Sequence, residues 1–363
     1  MKIVQIMGSS AGGVAQHVEQ ITGALIDRLG SGNQVVVACP SELTTRFSSI
    51  TRHLPLEISD RPQKSDIQVI REITKIAAQA DILHAHGLRA AALTSMALLG
   101  QRRSKRPRFV VTLHNLPVGS VKVQMITQVL EFIVAANADV VLGVSMDIVE
   151  RMAARRAKNT ARALVPAPAL PPIIFDREQV RENLFLDPDT KLLVTVARLA
   201  PQKGLDTLVE AAAMFNGDED LKVRWVVAGD GPLRESTEKQ IARTGAPVTL
   251  LGRRSDIGDL MNAADLVVST AVWEGQPIAV QEALSLGAAI VATDAGGTRE
   301  VTGDAAVITE VGNAQNLHER IKLLLQTPRL YNALKANALR RKDELPTLEQ
   351  TIDSLLAVYQ IKK

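Results

Sequence analysis

The chain of 363 residues is poor in cysteine, in aromatic residues and in long apolar runs. Its single cysteine, Cys39, excludes an internal disulfide and a metal site built from several cysteines. Aromatic residues make up 3% of the sequence, which argues against a surface that stacks single-stranded nucleic acid. No apolar run approaches the roughly 20 residues of a membrane-spanning helix. The first residues are typical of a strand and not of a signal peptide. We therefore expect a cytoplasmic protein that does not bind nucleic acid.

The charge is divided unevenly along the chain. Residues 1–170 contain 20 Lys and Arg against 12 Asp and Glu, whereas residues 171–363 contain 22 against 27. The basic N-terminal half predicts an anionic partner. The segment 102–108 and the predicted helix Met146–Lys158 are rich in arginine, with Arg155 and Arg156 adjacent. This pattern is compatible with an anionic membrane surface, and equally with a solvated helix in a basic domain.

Short apolar strands alternate with helices along the whole chain, which predicts mostly parallel sheets with helices on both faces. The proline-rich segment 165–172 interrupts the alternation, which then restarts. We therefore predict an α/β protein of two doubly wound domains, residues 1–168 and 169–345, followed by a helix at Leu348–Tyr359. In such sheets ligands bind at the carboxyl ends of the strands.

Two glutamates in residues 264–301 flank a predicted helix N-terminus. Leu266–Ser269 is a predicted strand, and Pro277 is predicted to start the helix, with Glu274 before it and Glu282 inside it. The N–H groups at a helix start favour an anion such as phosphate. Carboxylates beside an anion suit the hydroxyls of a sugar or ribose better than the anion itself. A capping Glu and a solvated Glu are the alternative.

Other strand-to-helix loops carry candidate ligand groups. Arg198 and Lys203 lie five residues apart after a predicted strand, a spacing that lets two cations hold a diphosphate. The glycine-rich loop 8–13 allows close approach to a phosphate, although a tight turn explains it equally well. This loop lacks the pattern of a nicotinamide-cofactor site, and no acidic residue ends the second strand.

The histidines give three distinct expectations. His114 ends a strand and is expected to face the ligand. His84 and His86 share a strand face, and one of them packs if the strand ends between them. We favour a core position for His84 and for His53, and no third partner indicates a metal site. The acidic pairs at 187 and 189 and at 218 and 220 are interpreted as surface turns.

Taken together, these motifs resemble the retaining GT-B glycosyltransferases of family 4 over nearly the whole chain. The motifs in order are GGVAQHV, DILHAHG, the strand ending in His114, ADVVLGVS, VARLAPQKG, VVAGDGP, LLGRRSDI, WEGQPIAVQEAL and DAGGTREV. The sequence departs from the family pattern at Ala197 and Ala228, where glycine is common. The resemblance implies two Rossmann-like domains facing across a cleft, with the helix 346–363 returning to the N-terminal domain.

The same resemblance implies a role for each matched residue. Arg198 and Lys203 would hold the donor diphosphate, Glu282 the ribose hydroxyls and Glu274 the transferred sugar. His114 would touch that sugar, so the catalytic set would be His114, Arg198, Lys203 and Glu274. The remaining donor-binding positions are Gly12, Gly13, Arg253, Gly275, Pro277, Ile278 and Ala279.

The expected activity is metal-independent, retaining transfer of a hexose from a nucleotide-sugar to a hydroxyl acceptor on a lipid, polysaccharide or small molecule. Uridine diphosphate sugars are the first expectation and guanosine diphosphate sugars the second, with no cofactor. Two alternatives remain open: a nucleotide-sugar 2-epimerase of the same architecture, and a non-catalytic nucleotide-sugar-binding protein.

Overall fold

The computed structural model describes residues 1–9, 12–59, 62–102, 105–116, 120–218 and 220–361. The chain forms two compact units. Unit 1 contains Met1–Pro166 and Pro346–Lys363, and unit 2 contains Ala167–Leu345. Each unit is a parallel α/β sheet layered with helices, which confirms the predicted fold class of two Rossmann-like domains.

Unit 1 is built on a seven-stranded sheet with the strand order β3-β2-β1-β4-β5-β6-β7. Its elements are β1 (Lys2–Met7), α1 (Gly13–Leu29), β2 (Gln34–Cys39), α2 (Thr44–Phe47), β3 (His53–Pro55), α3 (Asp66–Ala77), β4 (Ile82–His86), α4 (Leu88–Ala97), β5 (Arg108–Leu113), α5 (Val121–Asn137), β6 (Val140–Gly143), α6 (Met146–Ala154), β7 (Thr160–Arg162) and, from the end of the chain, α15 (Leu348–Tyr359). All pairings are parallel, so the carboxyl ends of these strands lie at one edge.

Unit 2 is built on a six-stranded sheet with the order β10-β9-β8-β11-β12-β13. Its elements are α7 (Arg177–Asn183), β8 (Lys191–Val196), α8 (Leu205–Ala213), β9 (Val223–Ala228), α9 (Arg234–Thr244), β10 (Val248–Gly252), α10 (Ile257–Ala263), β11 (Leu266–Ser269), α11 (Ile278–Ser285), β12 (Ile290–Thr293), α12 (Thr298–Thr302), β13 (Ala306–Thr309), α13 (Ala314–Gln326) and α14 (Pro328–Lys342). One apolar cluster around Trp225 and another around Val194 cover the two faces of the sheet.

Two predicted helix boundaries are wrong. Pro277 is the N-cap of α11 and not its first helical residue, because its ψ of 101° is extended and the helix begins at Ile278. The predicted helix Met146–Lys158 ends at Ala154. Arg156 has a φ of 62°, in the left-handed region, and this conformation stops the helix before Lys158. No helix among the described residues is long and apolar enough to cross a membrane.

Candidate active site

Unit 2 has its topological switch point between β8 and β11. From β8 the chain passes to β9 on one side, and it later returns to β11 on the other side. Loops that leave two such neighbouring strands diverge, and ligands of doubly wound sheets bind where they do. The loop after β8 carries Arg198 and Lys203, and the loop after β11 carries Glu274 and Pro277. The sheet order therefore places four predicted ligand residues on the two loops of the switch point.

The two loops meet in an ion pair. The ammonium group of Lys203 contacts the carboxylate of Glu274, and their side chains are 21% and 14% exposed. The hydroxyl of Thr270 donates to the carbonyl oxygen of Lys203 at 2.8 Å, so the loops are also joined through the backbone. An ammonium group has three donors. Lys203 therefore retains donors for a ligand oxygen while it is paired.

Two glycines make this close approach possible. Gly204 has a φ of 62°, and a Cβ added there would lie 2.0 Å from the carbonyl oxygen of Thr270. Gly296 has a φ of 53°, and its Cβ would lie 2.1 Å from the carbonyl oxygen of Glu274. The same oxygen accepts a hydrogen bond from the N–H of Gly297 at 2.8 Å. These contacts hold the backbone of Glu274 in place, and this fixes the position from which its side chain extends.

The start of α11 presents free amides beside this ion pair. The carbonyl oxygen of Pro277 accepts from the N–H groups of Val280 and Gln281, at 3.1 Å each. Pro277 itself has no N–H, and no acceptor in the described part of the chain binds the amides of Ile278 and Ala279, so these two are the unsatisfied donors of the first turn. These are the two amides expected to meet a phosphate. The partial positive charge at a helix start adds to the attraction for an anion.

Glu282 lies on the same helix in a partly buried position. Burial raises the pKa of its carboxyl group to about 7. A carboxyl group whose ionised form is poorly solvated gains from any hydroxyl that donates to it. This environment is compatible with the predicted contact to ribose hydroxyls.

The remaining predicted donor residues of unit 2 lie at strand ends. Arg198 and Arg253 are exposed and follow β8 and β10. Their guanidinium groups make no hydrogen bond or ion pair within the described part of the chain. Gly275 is buried next to Glu274. The structure therefore brings Lys203 and Glu274 into contact, whereas Arg198 and Arg253 project from their loops.

Unit 1 places a cluster of four histidines at the corresponding edge of its sheet. The ring centroids of His86 and His114 are 5.4 Å apart, those of His17 and His114 are 5.4 Å apart, and those of His84 and His86 are 4.2 Å apart. His84 is buried as predicted, but His86 and His17 are buried too. His53 is only partly buried on the edge strand β3, so its predicted core position is wrong.

A continuous hydrogen-bond network fixes the tautomers of this histidine cluster. The oxygen Oε1 of Gln5 only accepts, and it lies 2.8 Å from Nε2 of His86, so that nitrogen carries the proton. The Nδ1 of His86 is then an acceptor, and it receives the Nε2 proton of His114 at 3.1 Å. His114 is left with Nδ1 as an unprotonated acceptor at the end of β5.

The C-terminal helix α15 completes this network. The amide of Gln5 donates to the hydroxyl of Tyr359 at 3.3 Å. That hydroxyl donates to Nδ1 of His84 at 2.7 Å, and Nε2 of His84 donates to Thr112 at 2.7 Å. Tyr359 therefore ties residues at opposite ends of the chain into one buried polar cluster.

Burial keeps these imidazoles neutral. It lowers the pKa of His17 to about 4 and that of His84 to about 3, with the neighbouring His17 adding to the effect on His84. The pKa values of His86 and His114 are also lowered well below the ordinary value, first by burial and then by the other imidazoles. The Nδ1 of His17 is buried without a hydrogen-bond partner among the described residues.

Sequence reasoning missed Gln5, Thr112 and Tyr359 as members of this cluster. A signal existed for Gln5, which interrupts an apolar strand and is fully buried. Gly12 and Gly13 are exposed where α1 begins, whereas Ser10 and Ala11 of the same loop lie outside the described residues. In the described ranges, no group of three or more His, Cys, Asp or Glu side chains is placed to hold a metal ion.

Two protein-family models match the chain, one in each unit. Residues 11–166 match the model described as Glycosyltransferase Family 4, and residues 176–341 match Glycosyl transferases group 1. Together they span most of both units. The chain belongs to the glycosyltransferases.

Curated relatives of this glycosyltransferase align over about half of its length. A lipopolysaccharide core biosynthesis mannosyltransferase of Rhizobium meliloti is 30% identical over 199 residues, which is 51% of this chain and 56% of the relative. An N,N'-diacetylbacillosaminyl-diphospho-undecaprenol alpha-1,3-N-acetylgalactosaminyltransferase of Campylobacter jejuni is 32% identical over 164 residues, or 45% of this chain and 42% of the relative. The chain thus matches about half of each relative's length.

Solved structures match the glycosyltransferase over its whole length. A protein of Anabaena solved with UDP and glucose has a TM-score of 0.80 at 20% identity and covers 99% of both chains. Sucrose-phosphate synthase from Thermosynechococcus elongatus has a TM-score of 0.79 at 18% identity and covers 99% of this chain and 98% of its own. At these identities the likeness shows the fold.

Proposed function

We propose that the chain is a retaining, metal-independent glycosyltransferase that moves a hexose from a nucleoside diphosphate sugar to a hydroxyl acceptor. The observation that carries the proposal is the switch point of unit 2. There, Lys203, Glu274 and the free amides of α11 lie together, with Arg198 on the adjoining loop. This set matches the two halves of such a donor, an anionic diphosphate and a sugar rich in hydroxyls.

The charges suit the chemistry of the transfer. Breaking the bond between the sugar and the diphosphate develops negative charge on the leaving group. Arg198, Lys203 and the amides of Ile278 and Ala279 would stabilise that charge as fixed donors. Glu274 would accept hydrogen bonds from the sugar hydroxyls, and its ion pair with Lys203 would keep the carboxylate near the diphosphate that Lys203 is proposed to bind.

We assign the ribose to Glu282 and the base to the backbone of Arg253, with a uridine diphosphate sugar as the first donor and a guanosine diphosphate sugar as the second. The UDP in the Anabaena protein supports the first choice. His114 would contact the transferred sugar through Nδ1, the acceptor that its bond to His86 leaves open. The two relatives are named for a lipopolysaccharide core and a diphospho-undecaprenol-linked acceptor, which supports an acceptor carried on a lipid.

Turnover measurements on full-length variants test the proposal. We expect Glu274→Ala and Arg198→Ala each to lower the rate of sugar transfer or donor hydrolysis by roughly 100-fold or more, since each removes a group that meets the developing charge or the sugar. Lys239→Ala is the matched control, because it removes an exposed cation of α9 that pairs with Glu235. Wild-type rates in both site variants would remove the assignment. Conversion of the donor alone into an isomeric nucleotide-sugar would indicate the epimerase instead.

A further inference from the structure

Helix α5 of unit 1 carries a stripe of apolar side chains that faces solvent. Val121, Met125, Val129 and Phe132 are 73%, 62%, 59% and 53% exposed. Their spacing of four, four and three residues keeps them on one side of the helix. At 1.5 Å per residue the stripe is about 16 Å long. We call these four residues the α5 stripe.

The α5 stripe lies away from the face by which the helix is anchored. Thr127, Glu131, Val134 and Ala135 are the buried residues of α5. An ordinary surface helix has polar residues on the side that faces water. Here that side is apolar, and a continuous exposed apolar patch marks an interaction surface.

Positive charge lies at both ends of the α5 stripe. Lys122 is exposed in the first turn. At the other end, the guanidinium of Arg155 lies over the ring of Phe132, 4.8 Å from its centroid. Glu131 is the only acidic residue of α5, and its side chain is 2% exposed and bound by both Arg151 and Arg155. One positive charge therefore remains in excess at that end, and α5 exposes no acidic side chain.

The α5 stripe differs from the membrane surface considered in the sequence analysis. That surface consists of the segment 102–108 and the predicted helix Met146–Lys158 with Arg155 and Arg156, and a solvated helix in a basic domain is its alternative. In the structure Arg151 and Arg155 point to Glu131, and the helix α6 buries its apolar Ile148 and Met152. A run of exposed apolar side chains lies on α5, and Arg155 contributes by its position beside Phe132.

We propose that the α5 stripe docks unit 1 onto an anionic lipid bilayer. The four apolar side chains would enter the boundary between headgroups and acyl chains, while Lys122 and Arg155 reach the lipid phosphates. A second copy of the chain fits the charges less well. Antiparallel pairing of two stripes sets Lys122 of one copy beside Arg155 of the other, and parallel pairing sets two Lys122 side chains together. Both place like charges in contact, which disfavours self-association.

Vesicle co-sedimentation of the full chain tests this surface without reference to catalysis. We expect binding to vesicles of phosphatidylcholine mixed with phosphatidylglycerol, and weaker binding to phosphatidylcholine alone. The double variant Met125→Gln, Val129→Gln should partition at least about tenfold more weakly, because it withdraws two apolar side chains from the bilayer. The matched control is Leu323→Gln, Leu330→Gln in unit 2, whose side chains are 45% and 44% exposed. It should bind like the wild type.

Two further measurements make the result decisive. Lys122→Glu and added salt should both weaken binding to the anionic vesicles, because the attraction of exposed charges is screened. Thermal melting should be the same in wild type and the α5 double variant, which shows that the fold is intact. The proposal is overturned if wild type does not bind, if the double variant binds equally well, or if light scattering finds a dimer that only the double variant loses.

Discussion

The two units share the spatial order of their first six strands but differ in the chemistry of the side chains at their strand ends. Each is a parallel sheet with a switch point beside its first strand, β1 in unit 1 and β8 in unit 2. In unit 1 this edge holds buried, neutral imidazoles bound to Gln5, Thr112 and Tyr359. In unit 2 it holds partly exposed ions, such as Lys203 and Glu274.

The strand ends of unit 1 therefore form a fixed scaffold, whereas those of unit 2 offer groups to a ligand. The network of unit 1 satisfies most of its polar atoms internally, and among the described residues it leaves Nδ1 of His114 and Nδ1 of His17 without a hydrogen bond. The groups of unit 2 keep donors and acceptors unused, because an exposed cation and a helix start are not consumed by the fold. The same sheet edge thus positions one side chain in unit 1 and presents a set of charges in unit 2.

Low pH should produce the largest difference in stability between the two units. The pKa values of His17 and His84 are about 4 and about 3 in the folded chain, below the ordinary value of 6.5. The unfolded chain therefore binds more protons below pH 6.5, and unit 1 loses stability as the pH falls through that value toward 4. At pH 5 the loss is about 2 kcal/mol for each of the two histidines. Glu282, with its pKa raised to about 7, has the opposite sign and stabilises unit 2 as the pH falls from 7.

Spectroscopy can follow the two units in one sample. Both tryptophans, Trp225 and Trp273, lie in unit 2, whereas far-ultraviolet circular dichroism reports both units. In a fixed moderate concentration of urea, lowering the pH should reduce the dichroism signal before the tryptophan emission changes. A tryptophan transition that comes first, or together with the loss of helix, would mean that the histidine cluster does not limit stability.

Substitution of Gly204, which lies in close backbone contact, should have the next largest effect on stability. Gly204→Ala adds a Cβ 2.0 Å from a carbonyl oxygen at a φ of 62°, so the loops after β8 and β11 must separate. We expect the free energy of unfolding of unit 2 to fall by about 3 kcal/mol, measured by urea titration of tryptophan emission.

Gly217→Ala is the control for backbone strain alone. Gly217 also has a positive φ, of 78°, but a Cβ there meets no atom of the described residues within 4 Å. Its cost should be about 1 kcal/mol, the strain of a left-handed residue. Equal costs in the two variants would show that the close approach of the two loops is not what makes Gly204 necessary.

Removal of the Tyr359 hydroxyl should lower the stability least among these three changes. Tyr359→Phe removes the partner of His84 and of the Gln5 amide in a buried site. We expect a loss of about 1–2 kcal/mol in the unfolding of unit 1, followed by circular dichroism, because buried polar groups lose their partner. Tyr331→Phe in unit 2 removes a hydroxyl outside this network and should change the stability little. If both variants melt alike, the network does not hold α15 in place.

Much of the fold could be predicted because the local periodicity of apolar residues indicates its helices and strands. The helix Leu348–Tyr359 and the alternation of strands with helices follow from this periodicity, and the structure contains both. The strands β3 and β7, of three residues each, were missed since so short a segment shows no period. The end of α6 was missed because Arg156, and not a glycine or asparagine, takes the left-handed conformation.

The site was predictable only residue by residue. Strand-end loops identified Arg198, Lys203 and Glu274 as ligand groups, but their pairing depends on the sheet order β8-β11, which no local pattern encodes. The contact between Gln5 and Tyr359 spans 354 positions in the sequence. Helical periodicity in α5 likewise marks an apolar side without saying whether core or solvent lies against it.

The central claim is that the switch point of unit 2 binds a nucleoside diphosphate sugar. Calorimetric titration of the full chain with a uridine diphosphate sugar and then a guanosine diphosphate sugar tests it most directly, in wild type, Lys203→Met and Lys239→Ala. The account predicts saturable binding of one donor, weakened about tenfold or more by Lys203→Met, since a charge-assisted contact to phosphate is lost, and unchanged in the control. Binding of equal strength in Lys203→Met and wild type, or no binding of either donor, would contradict it.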